Sequence, residues 1–460
     1  MIESIININS NLSNTHNTEN TQSSIADAFI ESIIGTPRTT AGNSPPIETV
    51  YDNYIYQDAT DILRSESATL GFNSVYEARA YLDKYIKDHF KTTATIPDVN
   101  GVNYIVNIAN VLSYNLVSDT IEIEFDNTDI LTITCLDSTH AGLHYTYLNH
   151  LYTGYNIYDT FTGTRIEVNE GESIMQAVQG ATAGDLVIVN TGTYTESIKL
   201  KNGVDIYFME NCVLKYLSAS DGIFNDRLGF VVCSIYGFPD ITAVNCLIVG
   251  LWKNNSNIYL EANEINQSST SVGCFYQYTD TGFNSTIRVK GFVINKLTAG
   301  ALGISDFDGN GNVICDYDFI KMTCPSNFTY GFAYGTDNYM IFRNMYSGAG
   351  QFITIDCNSF YQPSIINHIF INCRLKNTSN NVNSLFISYD DTSGSDWAGQ
   401  HKLYLYNSYL QQNGKSIDAT YSITSYMYGS NYSKTDKDSQ VTLAGSGTLT
   451  IDSNLTISEV

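Results

Sequence analysis

A chain of 460 residues that is 43 % hydrophobic is long enough for more than one domain and a large core, which excludes a disordered chain. Only 15 % of residues are charged, and 47 acidic against 23 basic side chains leave a formal charge of −24, so Asn, Ser, Thr and Tyr must cover much of the surface. That balance excludes direct nucleic-acid binding, which relies on basic side chains to neutralise phosphates.

Residues 1–49 are rich in Asn, Ser and Thr, carry Pro37, Pro45 and Pro46, and hold little that can form a core. One stretch differs: Ile25, Phe29, Ile30 and Ile33 have helical spacing and need a partner surface. The segment reads either as a flexible tail or as an arm that orders on a neighbouring surface. Residues 50–155 read as a mixed α/β unit. Ser74 and Glu77 form a capping box, and Val75, Ala78, Leu82, Tyr85, Ile86 and Phe90 predict a helix through Lys91. Strands are expected at 104–112, 120–125 and 130–135. The unit is too short and too unlike the strand-rich remainder of the chain to be part of it, so its expected role is attachment or oligomerisation. His140, His144 and His150 cluster loosely beyond the third strand. The default is loop histidines facing solvent or backbone, with metal binding as the alternative.

From residue 156 to 432 the pattern is strand, turn, strand with no intervening helix, except at the start. Ser173 is placed to cap a short helix whose Ile174, Ala177 and Val178 share one face, and Gly180 supplies its stop. So short a helix needs an apolar surface, such as the open end of a stack of strands. Leu186 to Val189 is an unbroken apolar run expected of a strand buried between neighbours, and Asn190–Thr193 is turn chemistry. Tyr194 to Leu200 then reads as one strand, Asn202-Gly203 as a turn, and Val204, Ile206 and Phe208 as the inward positions of a third strand.

This opening segment resembles that of pectate-lyase-like right-handed parallel β-helix proteins. The matching residues are Ser173, Ile174, Ala177, Gly184, Asp185, Val187, Val189, Gly192, Tyr194, Glu196, Ile198 and Leu200, within a stretch of about thirty residues. The resemblance implies a right-handed parallel β-helix over 156–432, preceded by the α/β unit; a β-sandwich with one amphipathic helix is the alternative. That superfamily includes polysaccharide lyases and hydrolases, adhesins and phage tailspikes or fibres, so it does not choose a chemistry.

Beyond residue 200 the alternation continues, as in Ile287 and Val289 inward with Arg288 and Lys290 outward. An Asn recurs after strands at Asn211, Asn245, Asn344, Asn372 and Asn407, at intervals of 34, 99, 28 and 35, and predicts a stacked corner in the left-handed conformation. Asn358 breaks the period. Residues 433–439 read as a linker, and the strands expected at 441–444 and 448–451 as a cap or interleaved closure. Nine cysteines occur singly with no CxxC and no His at zinc-ligand spacing, which points to buried free thiols and a reducing compartment. The 34 tyrosines are read first as strand formers and second as a glycan-contacting surface. No basic-then-apolar leader opens the sequence and no run of about eighteen apolar residues offers a membrane span.

The lyases of this superfamily hold calcium with clustered Asp residues, and Asp306-Phe-Asp308-Gly-Asn310 matches the start of an oxygen-rich calcium loop. Tyr317 stands where that loop needs a Glu, so a turn between coils is the default. Hydrolases need one acid to protonate the leaving oxygen and another to activate water. Asp390, Asp391 and Asp396 are the candidates, but the Gly-His-Gly and Arg-Ile-Lys segments of the polygalacturonase type are absent, and no catalytic set is assigned. The order of parts resembles phage tailspikes and head or tail fibres. The resemblance implies a structural virion protein that attaches to the particle through residues 1–155, forms a homotrimer, and contacts host-surface glycan. It would be made in the host cytoplasm without a signal peptide, with no cofactor beyond a candidate calcium. The alternative is a glycan depolymerase on the same solenoid. An exported adhesin is disfavoured by the missing leader and the free thiols.

Overall fold

The computed structural model describes residues 84, 87–216, 222–225, 229–252, 255–268, 274–280, 284–296, 300–308, 312–323, 328–332, 337–347, 353–356, 365–377, 387–388, 400–406, 408–412, 417–418, 423–428, 443–444 and 449–451. The expected helix over 75–91 is described only at its C-terminal end, where residues 87–91 are helical. The Ile25–Ile34 stretch, the 433–439 linker and Asn358 lie outside the described residues.

Strands β1 (Thr93–Pro97) and β2 (Asn103–Asn107) form an antiparallel hairpin. The strand expected over 104–112 is broken by a 3-10 turn at Ile108–Asn110, because the Asn107 side chain accepts the Ala109 N–H and turns the chain. A second antiparallel sheet follows, made of β3 (Val111–Val117), β4 (Thr120–Phe125) and β5 (Ile130–Thr134). Next comes helix α1 (Ser138–Thr160), capped by the Asp137 carboxylate on the His140 N–H. The three histidines expected in a loop therefore sit on a 23-residue helix, which also carries the chain past residue 155.

The described residues beyond α1 form a right-handed parallel β-solenoid. Strand β6 (Arg165–Val168) pairs in parallel with the first coil. Helix α2 (Ile174–Gly180) closes the open end by burying Ile174 and Val178 in the lumen. The coils are β7 (Leu186–Val189), β8 (Thr193–Thr195), β9 (Ile198–Lys199); β10 (Asp205–Phe208), β11 (Val213–Tyr216), β12 (Ile223–Phe224); and β13 (Val232–Tyr236), β14 (Asp240–Val244), β15 (Val249–Trp252). In the next coils the first two faces merge into long strands, giving β16 (Ser256–Ser268) with β17 (Phe275–Asp280), β18 (Asn284–Lys296) with β19 (Gly300–Asp308), and β20 (Asn312–Thr323) with β21 (Phe328–Phe332). Separate strands then return as β22 (Asp337–Arg343), β23 (Tyr346–Ser347), β24 (Ile353–Asp356), β25 (Ile365–Ile371), β26 (Arg374–Asn377), β27 (Ile387–Ser388), β28 (Gln400–Tyr406), β29 (Tyr409–Gln412) and β30 (Ile417–Asp418). Last come β31 (Ile423–Tyr428), β32 (Leu443–Ala444) and β33 (Leu449–Ile451). The last two pair in parallel with β30 and β31, so the terminal strands continue the stack.

One coil cannot bury its inward face alone; stacking gives a continuous core. Val187, Ile206, Ile235, Ile258, Ile287, Cys315 and Met340 line it, with Phe342 stacked on Phe370 of the next coil at 5.2 Å. The expected strand over 194–200 is two strands, because Glu196-Ser197 turns the chain between β8 and β9. Glu196 also caps α2: its carboxylate accepts the Ser173 hydroxyl at 2.8 Å and the Ile174 and Met175 N–H groups at 2.8 and 3.2 Å. Glu196→Ala is expected to cost about 1–2 kcal/mol in urea unfolding. No change would mean the cap contributes nothing.

The Asn corners are real, but they are not one column. Asn211, Asn245, Asn344 and Asn372 all have positive φ, near 54–63°. Asn211, Asn344 and Asn372 turn the chain between the first and second faces, whereas Asn245 follows β14 and turns between the second and third. In its coil the first corner is Gly237-Phe238, both at positive φ. A Cβ on Gly237 would lie 1.9 Å from the Phe208 carbonyl oxygen, so only glycine fits. Asn407 lies outside the described residues. Seven cysteines are described, at 135, 212, 233, 246, 274, 315 and 373; all are buried as thiols outside any disulfide, and Cys324 and Cys357 lie outside the described residues.

Candidate functional site: a charge ladder beneath the N-terminal unit

Helix α1 lies along the outer side of the first face. Its 23 residues span about 34 Å, which matches seven steps between strands at about 4.8 Å. Near its C-terminus Tyr158 packs on Tyr207 of β10, and near its N-terminus His140 packs on Tyr404 of β28, with ring centroids 5.2 and 5.0 Å apart. Leu143 joins Ile341, Ile369 and Ile371 in one apolar cluster, while Tyr147, Leu148 and Leu151 share another with Ile188 and Tyr259. Gly154 permits a close approach, since a Cβ there would lie 2.6 Å from the Tyr236 ring and 2.9 Å from Glu261 Oε1.

The covered strand face carries charges at the positions where alternation points side chains away from the lumen. Parallel register puts Glu261, Lys290, Asp318 and Arg343 in one row over β16, β18, β20 and β22, and Tyr259, Arg288 and Asp316 in the row beside it. Arg288 and Lys290 point outward as expected, yet they are buried, because outward from the solenoid here means inward to α1 and β1.

Arg343 and Lys290 are closely matched by carboxylates. Arg343 Nε and Nη2 donate to the two Asp316 carboxylate oxygens at 2.8 and 3.0 Å. Its Nη1 donates to the Thr95 carbonyl at 3.1 Å, and its guanidinium lies 4.3 Å from the Tyr147 ring centroid. Arg343 Nη2 also donates to His144 Nδ1 at 3.0 Å, so His144 is the neutral acceptor; burial and the adjacent guanidinium hold its pKa well below the usual range. Lys290 Nζ donates to Asp318 Oδ2 and the Thr93 carbonyl, both at 2.9 Å, and sits 3.9 Å from the Phe90 ring centroid. Thr93 and Thr95 present carbonyls to the same side because alternate residues of β1 do so, and the cations satisfy the edge that β2 leaves open. Tyr147 donates to Asp318 Oδ2, and Asn344 Nδ2 donates to Asp318 Oδ1 at 2.9 Å.

Two members are less fully paired. Arg288 Nη1 reaches Asn257 at 3.5 Å, and its Nε, 3.9 Å from Asp316, has no hydrogen-bond partner. Glu261 accepts from the Tyr259 hydroxyl at 3.0 Å and the Gly237 N–H at 2.9 Å. Burial nevertheless pushes its pKa up to about 7, against the pull of those donors, Lys290 and Lys91. His150 stacks on the Tyr259 ring at 4.7 Å, and burial pushes its pKa down to about 3.

The sequence-derived candidates fall elsewhere. Asp390, Asp391, Asp396 and Asn310 lie outside the described residues. Asp306 and Asp308 are in register with Tyr278 and Asp280 near the end of β19. Among the described residues no three His, Cys, Asp or Glu side chains are grouped to hold a metal, and His140, His144 and His150 face different partners. No described helix is long and apolar enough to cross a membrane. The ladder did have a sequence signal: Arg288-Val-Lys290 and Asp316-Tyr-Asp318 repeat one spacing with opposite charge, 28 residues apart. Comparison of the chain with family models, curated proteins and solved structures finds no match.

Proposed function

We propose that this chain is a structural virion protein of a tailed bacteriophage, a head or tail fibre or spike. Residues 1–155 attach it to other virion proteins, and the solenoid is the shaft that meets host-surface glycan. The observation that carries this reading is the ladder of opposite charges on four successive coils beneath the N-terminal unit; it supports the reading because a fibre would need its attachment unit fixed to its shaft. The resemblance of the opening segment to pectate-lyase-like β-helices supports the same reading. So does the surface of the N-terminal unit, where Val102, Leu112, Val117, Ile130 and Tyr155 are exposed and available for protein contact. A homotrimer would bury such groups between neighbouring N-terminal units.

The test is to apply purified protein to host cells while assaying the same sample for new glycan reducing ends or unsaturated products. Binding to cells or particles without product is the expected result. Product formation that disappears in Asp390→Asn and Asp391→Asn would replace this reading with a polysaccharide depolymerase, with Asp396 as the next residue to change. Product formation that depends on added calcium would bring Asp306, Asp308 and Asn310 into that account.

A further inference from the structure

Lys290 is the one cation of the ladder able to become a nucleophile, since an ammonium can lose its proton whereas the guanidinium groups of Arg288 and Arg343 stay charged. Its amine lies 2.9 Å from Asp318 Oδ2, on the neighbouring strand at the same register, and both side chains are fully buried. The Phe90 ring lies beside the amine, which removes water from the site and lowers the amine's pKa by desolvation. The carboxyl group is held at both oxygens, Oδ1 by Asn344 Nδ2 and Oδ2 by the Tyr147 hydroxyl. That hydroxyl also lies 3.2 Å from Lys290 Nζ, so one phenol touches both the atom that must lose protons and the atom that must gain them.

We infer that Lys290 and Asp318 condense into an intramolecular isopeptide bond that ties two neighbouring coils together beneath the N-terminal unit. The Lys290 nitrogen attacks Asp318 Cγ; the Nζ–Cγ bond forms and the Cγ–Oδ2 bond breaks. Two of the three ammonium protons leave with Oδ2 as water, relayed by Tyr147, and the third stays on the amide nitrogen. One positive and one negative charge are consumed, so the step is balanced and needs no oxidant or co-reactant. Asn344 Nδ2 stabilises the charge that develops on Oδ1. The driving force is the replacement of a buried ion pair, costly to desolvate, by a neutral amide, with the water expelled from a dry site. The amide N–H retains the Thr93 carbonyl as acceptor, and the amide oxygen retains Asn344 as donor.

Intact-mass measurement of the full chain under denaturing conditions, followed by peptide mapping, tests this. The expected result is a chain lighter than its sequence by one water, and a branched peptide joining the segments that contain Lys290 and Asp318. Lys290→Arg should have its full sequence mass. Tyr147→Phe keeps the ring against Arg343; it should fold, as judged by its circular dichroism and thermal transition, yet gain the bond much more slowly or not at all. A folded wild-type chain at full sequence mass after prolonged incubation overturns the inference, as does a water loss that persists in Lys290→Arg. Bond formation at the wild-type rate in Tyr147→Phe overturns the relay.

Discussion

Arg343→Met is expected to lower the unfolding free energy by about 3–5 kcal/mol, because it leaves Asp316 as a buried charge without its bidentate partner. It also strips the Thr95 carbonyl and His144 Nδ1 of the donors that satisfy them in the closed interface. The measurement is the denaturant midpoint, read together with hydrogen exchange over residues 138–160, where the loss of anchoring should speed exchange first. Changing Asp316 as well should restore part of the loss, since two matched deletions remove the unpaired charge. Restoration is incomplete because Arg288 also faces Asp316. A loss below about 1 kcal/mol, the range of an exposed pair, would show that the ladder does not hold the N-terminal unit on the solenoid.

The second large effect is on the pH dependence of stability. Glu261 has a folded-state pKa of about 7 against the usual 4.5. Between those values the folded chain binds a proton that the unfolded chain releases, so stability from this group is present below pH 4.5 and is lost as pH rises through 7. The size is on the order of 3 kcal/mol. His144 and His150 act with the opposite sign. Their pKa values are depressed, His150 to about 3, so the unfolded chain takes up protons that the folded chain refuses, and stability falls as pH drops below 6.5. Glu261→Gln keeps the acceptor for the Gly237 N–H and offers an amide to the Tyr259 hydroxyl. It should remove the decline between pH 4.5 and 7 while leaving the acid limb, and it should raise the midpoint at pH 8. An unchanged profile in urea titrations from pH 4 to 8 would mean that Glu261 is ionised at little cost, held by Lys290 and Lys91.

The ladder also bears on what the acidic excess does in this protein. Asp316 and Asp318 are committed to buried cations, so they are not available to a substrate, and their pairing explains why an acidic chain places Arg288, Lys290 and Arg343 on one face. Among the described tyrosines, Tyr147, Tyr216, Tyr236, Tyr259, Tyr317 and Tyr406 are buried, which favours packing over glycan contact as their role.

Features governed by neighbours in the chain were legible without coordinates. The Leu186–Val189 run, the Ser173 cap and the left-handed Asn corners each depend on a few adjacent residues, and their chemistry is the same wherever the segment sits. Helix α1 was not legible, because His140, His144 and Gly154 interrupt the Leu143, Leu148, Leu151 and Ile157 that it buries, and those residues suit only the rings and charges they meet across the interface. The corner column failed at Asn245 for a related reason. Local chemistry sets a positive φ, whereas which corner it serves depends on how many residues each strand spends along its face. At Arg288 and Lys290, period-two alternation told which side chains leave the lumen. Only the packing of α1 and β1 on that face turned outward positions into buried ones, since burial is a property of what lies across an interface and no strand encodes its own covering.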